Sequence, residues 1–528
     1  MQFPNWLSQR AVQKKEAIAL ISRSPNHPIA HWTYAQLETE VNRWVEHLQS
    51  LGIKSGDRVG LLLTNQPQYI MLVHALVKCE AVAVFLNIRL TVDELHWQLE
   101  DSQTKYLICD EFTQFIAHDL GSDIENLIVE NCPHPLAPSP DGRGGTGRFS
   151  RSERRLGVDG LLNLEDIQGI FYTSGTTGKP KAVPLTYSNH FYSAIASTLN
   201  LGTYEDDNWL LCMPLFHVGG LAIAWRSVTN GTTITLLPKF DEQEVLEAIA
   251  NEKVTIISLV PTMLTRLLKH PHWQNLQNLR AILLGGAPAS KELIEQCLQL
   301  NLPIMPTYGM TETASQVATL LSHEVTLKQG SSGLPLFGNR FRIVNLDNPQ
   351  QEVPIGEVGQ ILVQGASVMN GYLHQIENNA VKDGWLYTGD LGYCDRDGYL
   401  YVVSRRSDLI ISGGENIYPT EIESILLEHP AILEVCVVGI SDREWGEIVS
   451  AVMVTRAELS LDDVRSFCEQ RSLARYKLPK SIHIWESLPK TASGKLLRQK
   501  IREHLDCSVG NFTEGENPNT TIDAGFQE

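Results

Sequence analysis

Between Asp57 and about Pro306 the chain repeats one pattern: a short apolar run rich in β-branched residues, then a longer amphipathic segment. The runs are Val59 to Leu63, Ala81 to Leu86, Ile170 to Tyr172, Ile234 to Leu237, Val254 to Leu259 and Ala281 to Leu284. Largely apolar runs of that length suit strands of a parallel sheet, and the amphipathic segments between them suit helices. The alternation predicts an α/β fold with mostly parallel sheets. From Gly330 to Val403 short strands separated by Gly, Asp and Pro predict a β-rich subdomain, as in Glu357 to Gln364 and Gly398 to Val403. Beyond Arg405 comes a compact α+β unit. It has a Gly413-Gly414 turn, a helix from Thr420 to Glu428, strands near Ile432 to Val438 and Val449 to Val454, and a helix from about Leu461 to Arg471.

Two stretches interrupt the pattern. Pro133 to Gly157 is crowded with Pro, Gly, Ser and Arg and reads as a flexible surface insertion at 133–157. Its arginines have no interleaved aromatics for stacking, which favours a solvated loop over a polyanion patch. The tail, 507–528, is polar and poor in aliphatics, so disorder is expected. The remainder divides into an N-terminal domain over 1–404, whose part from about 330 to 403 is β-rich, and a C-terminal unit over 408–506, with the boundary at Ser404 to Asp408. A length of 528 residues agrees with more than one core.

The bulk numbers narrow the classes of partner. With 43% hydrophobic and 20% charged residues the chain should fold as a globular protein. A formal net charge of -18 argues against nucleic acid and anionic lipid as partners, so an anionic substrate needs a local cluster of positive groups. The nine cysteines form no C-x-x-C pair, which suits neither a zinc site nor a disulfide framework. Met1 to Ala11 lacks the apolar core of a signal peptide, and no run approaches the roughly 20 apolar residues of a membrane span. A cytoplasmic location is expected, with organelle import still open.

The richest local chemistry is Thr173-Ser174-Gly175-Thr176-Thr177-Gly178-Lys179-Pro180-Lys181, placed between the strand-like Gly169 to Tyr172 and a helix-like segment from Tyr187 to Leu199. Glycines let backbone N–H groups approach an anion, hydroxyls donate to phosphate oxygens, and two lysines add charge. A Walker P-loop needs Gly at 173 and Ser or Thr after Lys179; Thr173 and Pro180 stand there instead. The alternative is a turn with incidental lysines.

This loop resembles that of the adenylate-forming superfamily of acyl-CoA ligases, peptide-synthetase adenylation domains and firefly luciferase. The resemblance extends from Trp6 to Arg498. It includes, in order, Pro214-Leu215-Phe216-His217, Tyr308-Gly309-Met310-Thr311-Glu312-Thr313, Tyr387-Thr388-Gly389-Asp390, the Arg405 to Glu415 segment and Pro489-Lys490-Thr491-Ala492-Ser493-Gly494-Lys495. It implies that the nucleotide is ATP, held by the loop together with Gly285, Gly286, Tyr308, Gly309, Thr311, Glu312, Asp390, Arg405 and Lys495. Tyr308 would lie against adenine, Thr311 would contact the α-phosphate, Asp390 would accept from the ribose hydroxyls, and Glu312 would help hold Mg²⁺. Lys179 and Lys181 would steady departing pyrophosphate, while Lys495 would stabilise charge on the α-phosphate as a carboxylate attacks it. Alone, Asp390 reads as a turn residue and Glu312 as a helix-start carboxylate. The resemblance further implies a mobile C-terminal lid that swings at a hinge over 405–407, near Ser407, where many relatives carry Asp or Lys. In its second pose Gly413 and Gly414 would border the path of a thiol.

Among the branches, the segments Asn189 to Gly202 and Pro214 to Leu221, with Ser315-Gln316, Gly330 to Gly333 and Arg405 to Ser412, closely resemble 2-succinylbenzoate–CoA ligases of menaquinone and phylloquinone biosynthesis. That implies a small dicarboxylic acid as substrate and coenzyme A as acceptor. Arg226, flanked by Leu221, Ile223, Ala224 and Trp225, would meet the aromatic carboxylate, although an arginine on a solvated helix face is the common alternative. His217 would gate the acid site, and Gln316, Ser331 and Ser332 are further candidates for acid contacts. Another aryl or medium-chain acyl-CoA ligase, or a non-catalytic nucleotide-binding relative, remains the alternative.

Overall fold

The computed structural model describes residues 2–24, 28–123, 128–131, 161–173, 180–374, 380–412, 415–442, 445–471, 473–490, 496–509 and 521–522. Each expected apolar run is a strand, at Arg58–Leu62, Val82–Phe85, Ile167–Thr173, Thr233–Leu236, Ile256–Leu259 and Ala281–Leu284. Two large sheets result. One orders its strands as Lys181–Thr186, Ile167–Thr173, Val82–Phe85, Arg58–Leu62, Tyr106–Cys109 and Ile128–Asn131, parallel except at the first pair. The other runs from Leu334–Pro335 through Ser315–Thr319, Ile304–Met310, Ala281–Leu284 and Ile256–Leu259 to Asn208–Leu211, and on to Ala30–Thr33. Its interior pairs are parallel and its margins antiparallel.

The helices Pro67–Lys78, Tyr187–Leu201 and Val218–Asn230 lie between the two sheets and feed one apolar core, in which Tyr69, Phe85, Phe171, Leu221 and Trp225 are buried. Burial around most of their circumference explains the largely apolar character of Pro67–Lys78 and Val218–Asn230, where a surface helix would show a stripe. The β-rich subdomain is an antiparallel sheet built on Asn339–Val344, Gly359–Gly365, Trp385–Cys394 and Leu400–Arg405. It places Asp390 directly opposite Arg405 in the ladder.

The C-terminal unit has its own cores, one under the helices Pro419–Leu427 and Leu461–Gln470 and one under Arg498–Val509. Two expectations shift at their edges. The run expected from Val254 becomes a strand only at Ile256, because Lys253 turns the chain at φ 53° and Thr255 bonds Asp207 through its hydroxyl at 2.8 Å. The last helix continues to Val509, past the 507 at which disorder was expected, and Thr521–Ile522 pairs with Ser481–Ile484. The insertion at 133–157 and most of the tail lie outside the described residues. Among the described residues, no helix is long and apolar enough to cross a membrane.

Candidate functional site

The phosphate-type loop grows from two paired strands. Thr173 ends one and Lys181 begins the next, and the two residues face each other across the ladder. Ser174, Gly175, Thr176, Thr177, Gly178 and Lys179 lie outside the described residues. The second strand leads at once into the Tyr187–Leu201 helix through a capping box, Thr186 accepting from Asn189 N at 3.2 Å and Asn189 accepting from Thr186 N at 2.9 Å. Asn189 also donates to Ala366 O and Val368 O, at 3.0 and 2.8 Å. A strap of the β-rich subdomain is thereby tied to the loop's base.

A second group gathers where the second large sheet meets the β-rich subdomain. Tyr308 donates to Asp390 Oδ2 at 2.7 Å, and Arg405 Nε reaches Asp390 Oδ1 at 3.0 Å. Burial and then the Asp390 carboxylate hold the Tyr308 phenol well above its usual range, so it stays a donor. Burial disfavours the Arg405 charge, but Asp390 and Glu312 outweigh it and raise the guanidinium above its ordinary value. Beside Tyr308 the backbone must be bare. A Cβ on Gly309 would stand 1.9 Å from Ser315 O, and Gly286 sits at φ 79°. The Thr311–Thr313 turn follows, and Ala314 and Ser315, at φ 51° and 102°, reverse the chain. Two consecutive non-glycine residues in the left-handed region mark stored strain, which clusters at functional sites.

Glu312, on that turn, accepts from the Tyr372 hydroxyl at 2.9 Å through Oε1, and the Lys181 ammonium lies 4.9 Å from the Tyr372 ring centroid. Among the described residues no hydrogen bond reaches Glu312 Oε2. Among them, too, no group of three or more His, Cys, Asp or Glu is placed to hold a metal ion. One open carboxylate oxygen beside a phosphate-type loop fits Mg²⁺, which is usually held by one or two carboxylates and substrate phosphates.

A third group lies between the Tyr187–Leu201 and Val218–Asn230 helices and the turn at Ser315. Arg226 is 2% exposed; its Nη2 donates to Ser315 Oγ at 3.1 Å, its guanidinium lies 5.2 Å from the Trp209 ring centroid, and its Nε has no partner. Among the described residues no carboxylate pairs with it. Burial alone presses it down to about 9, still charged at neutral pH. The solvated-face alternative for Arg226 therefore fails, and what remains is a buried cation short of an anion. His217 precedes the Val218–Asn230 helix, its ring 4.6 Å from that of Phe216 and its Nε2 buried without a partner. Burial, and then Arg89, lowers it to about 4, so the imidazole is neutral. A Cβ on Gly220 would stand 2.3 Å from Pro214 O, which fixes how tightly the chain turns after His217. Gln316 donates to Thr307 Oγ1 at 3.2 Å and leaves Oε1 buried and unpartnered.

Ser331 and Ser332 do not join this group through their bonds. Ser331 donates to Leu400 O and accepts from Gly333 N, both at 2.9 Å, and Ser332 N donates to Leu400 O at 2.8 Å. Both serines fasten the turn to the β-rich subdomain. Thr311 and Gly285 fall where the nucleotide group gathers, and a Cβ on Gly285 would stand 2.7 Å from Thr307 Cγ2. In the C-terminal unit, Gly413, Gly414 and Lys495 lie outside the described residues. Ser407 sits in the short Arg406–Asp408 turn with its hydroxyl on Asp408 Oδ1 at 3.2 Å. Sequence reasoning missed Tyr372 and Trp209. Each acquires its role only from a partner distant in the chain, so no local signal marks it.

Comparison with known proteins shows what the chain is similar to. The model for "AMP-binding enzyme" matches residues 7–373, and that for "AMP-binding enzyme C-terminal domain" matches residues 421–495. The chain is 42% identical over 507 residues to a 2-succinylbenzoate–CoA ligase of Bacillus mycoides, covering 95% of this chain and 99% of that protein. Among solved structures, it resembles the o-succinylbenzoate CoA synthetase of Bacillus subtilis in complex with the acyl-adenylate intermediate OSB-AMP, with a TM-score of 0.83 and 38% identity over 95% of this chain and 98% of that one. The same protein in complex with ATP and magnesium ion gives a TM-score of 0.83 and 38% identity, covering 95% and 99%. ATP-bound MatB of Rhodopseudomonas palustris gives 0.83 at 27% identity, covering 96% and 99%.

Proposed function

The chain belongs to the AMP-binding enzyme family, and from that premise we infer its reaction. It is an AMP-forming acid–thiol ligase: it adenylates 2-succinylbenzoate with release of pyrophosphate, then passes the acyl group to coenzyme A with release of AMP. The step belongs to menaquinone or phylloquinone biosynthesis. The observation that carries the acid is Arg226, a buried guanidinium without a carboxylate partner among the described residues, whose one side-chain hydrogen bond goes to Ser315 on the strained turn. An acid with a second carboxylate supplies the missing charge.

The residue roles are proposals built on this geometry. Tyr308, Asp390 and Arg405 form one wall for adenosine, with Asp390 accepting from ribose hydroxyls. The loop from Thr173 to Lys181, with Thr311, faces the phosphates. Magnesium, when bound beside Glu312, neutralises charge on phosphate oxygens. Lys495 meets the α-phosphate as the succinyl carboxylate attacks, so that developing charge finds a preplaced ammonium. Neutral His217 separates this centre from the acid site, and Gln316 offers its unpartnered Oε1 and amide to the acid. The lid then turns about Ser407 and brings Gly413 and Gly414 to the path of the thiol. A thiol near pKa 8.5 is already partly ionised at neutral pH, so no dedicated base is required. We place the reaction in the cytoplasm.

The test is pyrophosphate release with a panel of acids, with and without coenzyme A. Succinylbenzoate should be turned over well ahead of benzoate and fatty acids, and coenzyme A should be consumed one for one with AMP formed. Silence with succinylbenzoate while another acid turns over would overturn the substrate and leave the reaction class standing.

A further inference from the structure

We propose that Tyr372 is a positioning residue for the cation end of the nucleotide site, holding Glu312 by its hydroxyl and Lys181 by its ring so that carboxylate and ammonium act as one unit. The inference rests on the reaction given above and adds a residue to it. Three independent observations meet at this side chain. Its hydroxyl donates to Glu312 Oε1 at 2.9 Å. Its ring lies 4.9 Å from the Lys181 ammonium, at the root of the phosphate-type loop. The backbone around it is clipped to the same two places: Met369 N donates to Glu312 O at 2.8 Å, and Leu373 N donates to Ala182 O at 3.0 Å. A strap secured on both sides of Tyr372 therefore fixes where its hydroxyl points.

The need for such a residue follows from the charges around Glu312. A glutamate side chain has three rotatable bonds, and ordering it costs rotamer entropy. Arg405 is close enough to interact electrostatically with Glu312, and Lys181 stands over the same tyrosine. Released from Tyr372, the carboxylate can swing onto either cation and form an ion pair. That would withdraw it from a divalent ion. The hydroxyl engages one carboxylate oxygen with a neutral donor and leaves the other open. Phenylalanine would fill the same space and keep the ring under Lys181, so the hydroxyl has a separable role.

Calorimetric binding of α,β-methylene ATP at a series of magnesium concentrations tests this without turnover. In Tyr372→Phe the magnesium needed for half of the tightening should rise about tenfold, as expected for a lost charge-assisted hydrogen bond, while affinity without magnesium stays within about twofold. Tyr372→Leu, which also removes the ring, should additionally weaken magnesium-free binding several-fold. The unfolding midpoint of Tyr372→Phe without nucleotide should match the parent protein. An unchanged magnesium requirement in Tyr372→Phe would overturn the role, as would an equal loss of affinity with and without magnesium. Parent protein whose binding ignores magnesium would overturn both this role and the reaction assigned above.

Discussion

Tyr308 and Asp390 belong to different sheets and meet at 2.7 Å, phenol to carboxylate. The bond closes the seam between the second large sheet and the β-rich subdomain, and Arg405 fixes the other carboxylate oxygen from the adjacent strand. Asp390 is thus oriented before any nucleotide arrives, which is the arrangement that lowers the cost of binding. Replacing it by Ala removes both an acceptor and the partner of Arg405. Asp390→Ala should raise the KM for ATP by about tenfold or more and leave the KM for succinylbenzoate within about threefold. Steady-state kinetics with each substrate varied in turn checks this; equal rises in both would place Asp390 in general packing.

Arg226 predicts opposite signs for stability and function. Its charge is buried with a serine hydroxyl and an aromatic face but no carboxylate among the described residues. A buried charge without a counter-ion destabilises, and an apolar residue of similar volume is often neutral or stabilising. Arg226→Leu should therefore leave the unfolding midpoint unchanged or higher, while raising the KM for succinylbenzoate by about a hundredfold. The KM for ATP should hardly move. A large loss of stability in this variant would mean that Arg226 supports the fold.

These two residues also show what the sequence can and cannot disclose. Arg226 was visible because four apolar neighbours surround it on one helical segment, a local signal. Its Trp209 and Ser315 partners were not, since they arrive from a strand before it and a turn far after it. The apolar strands were legible for the same reason that they are buried: parallel strands covered on both faces need no polar face. Their edges were less so, because positions such as Lys253 turn by adopting a backbone conformation that no residue type there announces. Ser331 shows the converse situation. A hydroxyl in a turn suggests a ligand, yet here its proton and lone pair serve Leu400 and Gly333.

Three buried histidines contribute to the acid response. Burial lowers His190 to about 3; burial and then Lys78 lower His74 to about 3; burial and then Arg89 lower His217 to about 4. Unfolded, each takes a proton near pH 6.5. Between that value and 3–4 the unfolded chain binds more protons, so stability is fully present above about 6.5 and is lost as pH falls through this window. Each group contributes a slope of up to about 1.4 kcal/mol per pH unit. The unfolding midpoint should fall steeply from pH 6 to pH 4, and His190→Phe should make that fall shallower. An unaltered slope in His190→Phe would show that this ring accepts its proton in the folded state.

The C-terminal unit carries the last prediction. Arg498 donates to both carboxylate oxygens of Glu423, to Val437 O at 2.6 Å and to Asp408 Oδ2 at 3.1 Å. Asp408 adjoins the proposed pivot Ser407, and Arg498 follows Lys495 by three residues, so one guanidinium ties the pivot to the segment bearing the proposed catalytic ammonium. The ion group is largely buried, and removing its cation leaves two carboxylates facing each other. Arg498→Met should cost about 3–5 kcal/mol of the unit's stability. Both half-reactions should suffer, because the lid must be folded to adopt either pose. Lys495→Ala should differ in kind. Its fold and its thioester formation from supplied acyl-adenylate should persist, while single-turnover adenylate formation falls about a hundredfold or more. If adenylation by Lys495→Ala matched the parent protein, the ammonium at the α-phosphate would have to come from Lys179 or Lys181, and the need for a moving lid in the first half-reaction would disappear with it.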